Sequence, residues 1–212
     1  MARRIVLARH GRPEWSDTTL ITGRELGEWF RGRDAAPIDP EHTPPPELRR
    51  IAREAKGFAA SPLRRSLESL HLLVPDAIPF VDPVFREVEV PRSVPLPLPL
   101  PGQMYSKISR IAWFAGWSPQ VESFGEARER ARKAAETLVE IAPASGTLLL
   151  VGHGIINGLI GLALRKMGWK GPHLRPRRQW AHGVYRHSSC AGVAPLFPAA
   201  PPRGFSGRCE SR

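Results

Sequence analysis

"IVLARHGRPEW", residues 5–15, carries an apolar run from Ile5 to Ala8 that stops at an arginine and a histidine, with a glycine behind them. Four consecutive apolar residues without alternation read as a short strand buried on both faces, the kind used in parallel sheets. Such a strand delivers whatever follows it to one edge of the sheet, and in open α/β folds ligands gather beyond the carboxyl ends of the strands. Arg9 and His10 are therefore the first candidates for a site. Two cationic or near-cationic side chains together ask for something negative between them.

The rest of the chain alternates strand and helix patterns around this one. Thr22 is placed to cap a helix reaching about Arg31, with Leu26, Trp29 and Phe30 on one side. In "TPPPELRRIAREAKG" Pro46 stands near a helix start, Leu48, Ile51 and Ala55 share a face, and Gly57 supplies the stop. "FAAS", residues 58–61, reads as a second strand. Ser61 then caps a helix with Pro62 at its first position and Leu63, Leu67 and Leu70 as its apolar stripe. Residues 78–90 read as extended, and "PRSVPLPLPLPG" excludes regular structure because alternating prolines lock the backbone and remove donors.

Two further helices are predicted, from about Met104 to Trp117 and from Ser123 to Ile141, the second with a solvated basic face. A strand over 147–151, a helix over about 155–167 and a last strand within 178–187 complete the pattern. It predicts an α/β domain, a three-layer α/β/α sandwich around a mostly parallel sheet. One catalytic domain is expected over residues 1–187. Residues 188–212 lose all periodicity, are rich in Pro, Gly, Ser and Arg, and read as a disordered or loosely packed tail.

With 212 residues, 42% apolar and 24% charged, the chain is long enough for one ordinary globular core. Its net charge of +11 repels cations and draws in anions, whether phosphorylated metabolites, nucleic acid or acidic lipid. Composition does not choose among them. Cys190 and Cys209 are too few for a zinc site or a disulfide framework. Arg3 and Arg4 precede only four apolar residues, too short a run for a secretory leader, so the expected location is cytoplasmic. The segment 146–164 has no formal charge and nearly the length of a membrane span, but His153, Asn157 and its glycines fit a strand, a turn and a buried helix better.

Three of these apolar strands end in polar groups. The first delivers Arg9 and His10, the second Ser61 with Arg64 and Arg65, and the last His153 between Gly152 and Gly154. Two histidines and at least two arginines converging on one spot suit a phosphoryl group, with its several acceptor oxygens and about two charges. Nearby arginines keep an imidazole neutral, as a nucleophile requires, and guanidinium groups match the spreading charge of phosphoryl transfer.

These stretches carry a resemblance. "LARHGRPEW" resembles the R-H-G signature of the histidine phosphatase superfamily in its phosphoglycerate-mutase-like branch, and "ASPLRRSLES" resembles that family's S-P-L-x-R-A-x-x-T segment. "FREVEV" is similar to its L-x-E segment and "LLLVGHGIING" to its second histidine motif, all in the family's order across residues 3–168. The resemblance implies that His10 is the nucleophile and that Arg9, Arg65 and His153 bind the phosphoryl oxygens, with Arg65 rather than Arg64 at the family's spacing. It implies Glu87 as proton donor, with Glu89 in reserve, two residues on and on the same side of an extended chain, and Glu14 third. No cofactor and no metal are implied.

The sequence departs from the family at Arg12, where an acidic residue is usual, and at Pro13, Ser16, Ser69 and Asn157. Arg12 suggests a more anionic substrate. The reading is a phosphatase for a small phosphomonoester, acting through a phosphohistidine. Its alternatives are phosphoglycerate-mutase-type transfer, which lacks the E-R-x-Y-G pattern around Glu87, and a non-catalytic basic binding protein on the same fold. A phosphorylated small molecule is the expected partner, with no membrane; nucleic acid is disfavoured by the lack of a binding motif, and serine hydrolase chemistry by the lack of G-x-S-x-G. Substrate reading beyond the phosphate is expected from residues 12–45 and 91–122.

Overall fold

A computed structural model describes residues 3–173 and 178–187. In chain order the elements are β1 (Arg3–Arg9), β2 (Leu20–Ile21), α1 (Leu26–Ala35), α2 (Pro46–Glu54), β3 (Gly57–Ala60), α3 (Arg64–Leu73), β4 (Phe80–Val81), β5 (Leu100–Pro101), α4 (Gly102–Phe114), α5 (Phe124–Ile141), β6 (Gly146–Gly152), α6 (Gly154–Lys166) and β7 (His182–His187). The main sheet runs β4-β3-β6-β1-β7, parallel except for β7, and β2 pairs with β5 in a separate ribbon.

Side chains alternating along the strands divide the interior in two. Ile5, Leu7, Leu148 and Leu150 point into a core shared with α1, α4, α5 and α6. Val6, Ala8, Leu149 and Val151 point the other way, onto Leu48 and Ile51 of α2 and Leu70 of α3. The three layers follow from this. Continuous apolar runs at β1 and β6 are required because both faces are covered, and each buried leucine there stabilises the fold by about 1.5–3 kcal/mol. The segment 146–164 forms β6, a turn and α6, and no helix among the described residues is long and apolar enough to cross a membrane.

Several boundaries differ from the sequence expectation, each for a tertiary reason. Helix α1 starts at Leu26 rather than Thr22 and runs on to Ala35. Gly23 exchanges backbone bonds with Val94 and Leu96, which holds it out of the helix, while the Thr22 amide and hydroxyl both donate to the Glu25 carboxylate. Helix α2 ends at Glu54, so Ala55 lies beyond it and Gly57 opens β3 rather than stopping a helix. Helix α3 starts at Arg64, and the expected cap Ser61 faces His153 instead. Leu67 of its supposed stripe is 37% exposed, and Leu70 and Leu73 make the buried contact. Helix α4 lies two to three residues earlier than expected, and β7 is shorter.

Between 78 and 90 only Phe80–Val81 is strand. Asp82 then accepts the Val84 amide and starts a one-turn 3₁₀ helix at Pro83. The proline-rich segment is irregular up to β5, but it is tied down: the Tyr105 hydroxyl is shared between the Leu96 and Leu98 carbonyls. The expected tail, 188–212, lies outside the described residues.

Candidate active site

Sheet register builds the floor of the site. Arg9 pairs with Gly152 across β1 and β6, and Ala60 pairs with Val151 across β3 and β6. The residues after these strands, His10, Ser61 and His153, therefore leave the sheet at one edge. The rings of His10 and His153 meet edge to face with centroids 5.1 Å apart, and both are buried.

Each imidazole is held by its neighbours. His10 Nδ1 lies 2.6 Å from the Gly11 carbonyl oxygen. A carbonyl only accepts, so Nδ1 carries the hydrogen and the Nε2 lone pair is available. His153 Nε2 lies 2.8 Å from Ser61 Oγ and 3.3 Å from Ser66 Oγ, while its buried Nδ1 has no hydrogen-bond partner. Burial, then the charges of Arg65 and Arg9, keeps the His10 imidazole well below its ordinary pKa, although the bond to Gly11 works the other way. Burial, Arg65 and His10 do the same to His153. Both rings are neutral at neutral pH.

The loop under His10 is braced from two sides. The Gly11 amide donates to Ser69 Oγ, which itself donates to the Arg65 carbonyl. On the other side the Trp180 indole lies so close that a Cβ on Gly11 would be 2.6 Å from its Cζ2. Trp180 adopts φ 60°, a backbone region that bulky residues rarely occupy, and its Nε1 donates to the His42 carbonyl. Asn157, one of the departures from the family pattern, donates to the Ala8 carbonyl and so ties α6 to the end of β1. Gly154 has no positive φ; Arg9 Nε lies across it, 3.7 Å from where a Cβ would stand. Its value is in the approach of Arg9 at the point where β6 gives way to α6.

A cleft opens above this floor, lined by Arg9, His10, Arg65, Glu87, Glu89 and Ile155, and by further arginines described below. Arg65 is 8% exposed and donates to Asp34 at 2.7 Å, and Asp34 also lies 3.8 Å from Arg92. Arg64 instead lies on the surface, bonded to Glu68. The Glu87 carboxylate accepts the amides of Ile155 and Ile156 at 3.3 and 3.1 Å, so the first turn of α6 fixes it beside the cleft. Glu89 sits on the rim, 3.7 Å from Arg86. Among the candidate acids, Glu14 lines a different, apolar groove with Pro37 and Leu72. Arg12 and Ser16 also lie away from the cleft: Arg12 is 3.9 Å from Asp39 with 62% of its side chain exposed, and Ser16 bonds to Thr18 and Thr19. The extra positive charge that Arg12 suggested comes from elsewhere.

It comes from Arg33 of α1, Arg110 of α4, and Arg86 and Arg92 of the irregular segment between β4 and β5, all of which line the cleft with Asp34. Sequence reading missed these. Arg33 had a signal: Leu26, Trp29, Phe30 and Arg33 have the i, i+3, i+4, i+7 spacing of one helix face, so an arginine continues an apolar stripe. Its guanidinium lies 5.5 Å from the Trp29 ring, and burial with the nearby Arg110 charge pushes its pKa down to about 10.

No protein-family model and no curated protein matches the sequence. Solved structures do match. The mycobacterial glucosyl-3-phosphoglycerate phosphatase complexed with VO3 is 22% identical, with a TM-score of 0.53 over 78% of this chain and 83% of that one. A functionally characterised open reading frame product of Mycobacterium tuberculosis is 18% identical, with a TM-score of 0.51 over 87% and 94%. The phosphoserine phosphatase of Entamoeba histolytica, in complex with 3-phosphoglyceric acid, is 18% identical, with a TM-score of 0.50 over 77% and 80%. The likeness is one of fold.

Proposed function

We propose that this chain, which has the fold of the phosphoglycerate-mutase-like histidine phosphatases, hydrolyses a small phosphomonoester through a phosphohistidine on His10. One observation carries the reading: two buried, neutral imidazoles meet at 5.1 Å on a sheet edge surrounded by Arg9 and Arg65. Gathering guanidiniums around a partly buried spot is costly unless an anion comes to the site, and a phosphoryl dianion is the anion that several guanidiniums and a nucleophile together would serve.

In this reading the substrate's phosphoryl oxygens lie among Arg9, Arg65 and His153. The Nε2 lone pair of His10 attacks phosphorus as the ester P–O bond breaks, and the leaving oxygen takes a proton from the Glu87 carboxyl group. The N–P bond forms at the atom that the Gly11 carbonyl leaves available. In the second half Glu87 takes a proton from water, the resulting hydroxide attacks phosphorus, and the N–P bond breaks to release phosphate and restore neutral His10. Arg65 holds charge throughout, and Asp34 keeps its fork directed at the cleft. Glu87 is favoured over Glu89 because the first turn of α6 positions it, whereas Glu89 is paired with Arg86 on the rim.

The test is phosphate release from p-nitrophenyl phosphate. Wild type turns it over and, quenched during turnover, carries an acid-labile, base-stable phosphoryl group. His10→Ala remains folded and loses roughly three or more orders of magnitude in kcat. Isomerisation of a phosphoglycerate without phosphate release, or full activity in His10→Ala, overturns the reading.

A further inference from the structure

The second histidine of the site is held by two hydroxyls, one of which stands outside the family pattern. His153 Nε2 lies 2.8 Å from Ser61 Oγ and 3.3 Å from Ser66 Oγ, and both serines are fully buried. Residues 61–69 resemble the segment S-P-L-x-R-A-x-x-T, and Ser66 falls where that pattern has alanine. Among the described residues Ser66 Oγ makes no other hydrogen bond. Ser61 Oγ also accepts the Leu63 amide at 3.4 Å.

A neutral imidazole carries one ring hydrogen, and the partners of one nitrogen decide which nitrogen bears it. With the hydrogen on Nε2, the ring donates to the serines. Both hydroxyl hydrogens then lack an acceptor and the buried Nδ1 lone pair lacks a donor, so three polar groups are unmatched. With the hydrogen on Nδ1, both hydroxyls donate to the Nε2 lone pair, and Nδ1–H alone is unmatched. Buried groups without partners are costly, so the second arrangement prevails. Were Ser66 an alanine, the count would be two unmatched groups against one. The Ser66 hydroxyl widens the margin.

We propose that Ser66 is a positioning residue which, together with Ser61, fixes the ring hydrogen of His153 on Nδ1 and so makes this ring an uncharged donor to the phosphoryl group. The serines occupy Nε2, which leaves Nδ1 for a phosphoryl oxygen. The opposite tautomer would set a lone pair against that oxygen, and two acceptors repel. Protonating the ring from solvent is no substitute, because burial and the charges of Arg65 and Arg9 oppose it. The tautomer therefore supplies the hydrogen that added charge cannot. The inference rests on the phosphatase reading above.

The tautomer is read by nitrogen-15 NMR of the full chain at neutral pH, where a ring nitrogen with a hydrogen and one with a lone pair have well-separated shifts. Wild-type His153 should show the hydrogen on Nδ1 alone. Ser66→Ala, which deletes one oxygen, should give a mixture of both tautomers. Ser66→Cys, which nearly keeps the volume with a weaker donor, should move the ring the same way by less. In Ser66→Ala, kcat/KM for p-nitrophenyl phosphate should fall about 3- to 10-fold, the worth of one hydrogen bond, and the Kd for inorganic phosphate should rise by a similar factor. A wild-type ring with its hydrogen on Nε2 overturns the proposal. So does a loss of activity in both variants with the tautomer unchanged, which would mean that Ser66 only fills space. Wild type that shows the Nδ1 tautomer but hydrolyses no phosphate ester overturns the phosphatase reading and leaves the tautomer assignment standing.

Discussion

The floor and the wall of the cleft are built by opposite means. The floor, Arg9, His10, Ser61 and His153, comes from residues next to strand ends, and its geometry is fixed by the ladder between β1, β6 and β3. The wall, Arg33, Asp34, Arg92 and Arg110, comes from two helices and a proline-rich segment, outside the main sheet, with Asp34 between Arg65 and Arg92. Under the proposed chemistry the reacting atoms, whose spacing must be held to tenths of an ångström, sit on the rigid part. The wall residues sit where sequence can change without disturbing the sheet.

Three perturbations separate the two regions. Gly11→Ala strikes the floor hardest. A new Cβ 2.6 Å from the Trp180 indole has no soft neighbour to yield, and overpacking of this kind costs about 1–3 kcal/mol. Thermal melting should show that loss together with a collapse of kcat; a variant with wild-type melting and turnover would mean that the His10 loop is not braced as described.

Acid is the second probe. Both histidines have folded pKa values depressed below about 6.5, so below that pH the unfolded chain takes up protons that the folded protein refuses. Stability is therefore complete above about pH 6.5 and falls as the pH drops below it, by up to about 2.7 kcal/mol per pH unit for the two groups together. His10→Gln should roughly halve the slope in denaturant titrations run from pH 6.5 downward. An unaltered slope would show that His10 does not contribute to it.

The wall is probed through the partner of Arg65. Asp34→Asn removes the carboxylate partner of the nearly buried Arg65 and should lower the stability of the free protein by about 1–3 kcal/mol. Inorganic phosphate supplies the missing charge, so the rise in melting temperature on adding phosphate should be larger in the variant than in wild type. An equal rise in both would sever Asp34 from the proposed phosphoryl site.

The same division governs what could be read in the sequence. The apolar runs of β1 and β6 identify themselves, since burial on both faces demands continuous apolar residues, and the polar residues at their ends mark the floor. Helix α5 was legible for a local reason: Ser123 and Glu126 bond reciprocally at its start. Helix α1 was misjudged because its start depends on Gly23 being tied to residues 94 and 96, about seventy positions away. Arg110 gave no signal, because a cation on an amphipathic helix looks the same whether it faces water or a cleft. Ser61 looked like a helix cap because its hydroxyl suits that task, and only the position of His153 shows the other use.

The in-step pairing of β1 with β6 has a consequence for how the molecule can vary. Deleting a single residue from either strand would turn every following side chain to the opposite layer, sending His10 or His153 away from its counterpart and exposing leucines at the same time. The histidine pair and the interior are thus specified by the same stretch of chain, and neither can drift without the other. Between Pro91 and Leu100 the chain is instead held at Val94, Leu96 and Leu98, so a length change there would loosen the start of α1 yet leave the register of β1 and β6 intact.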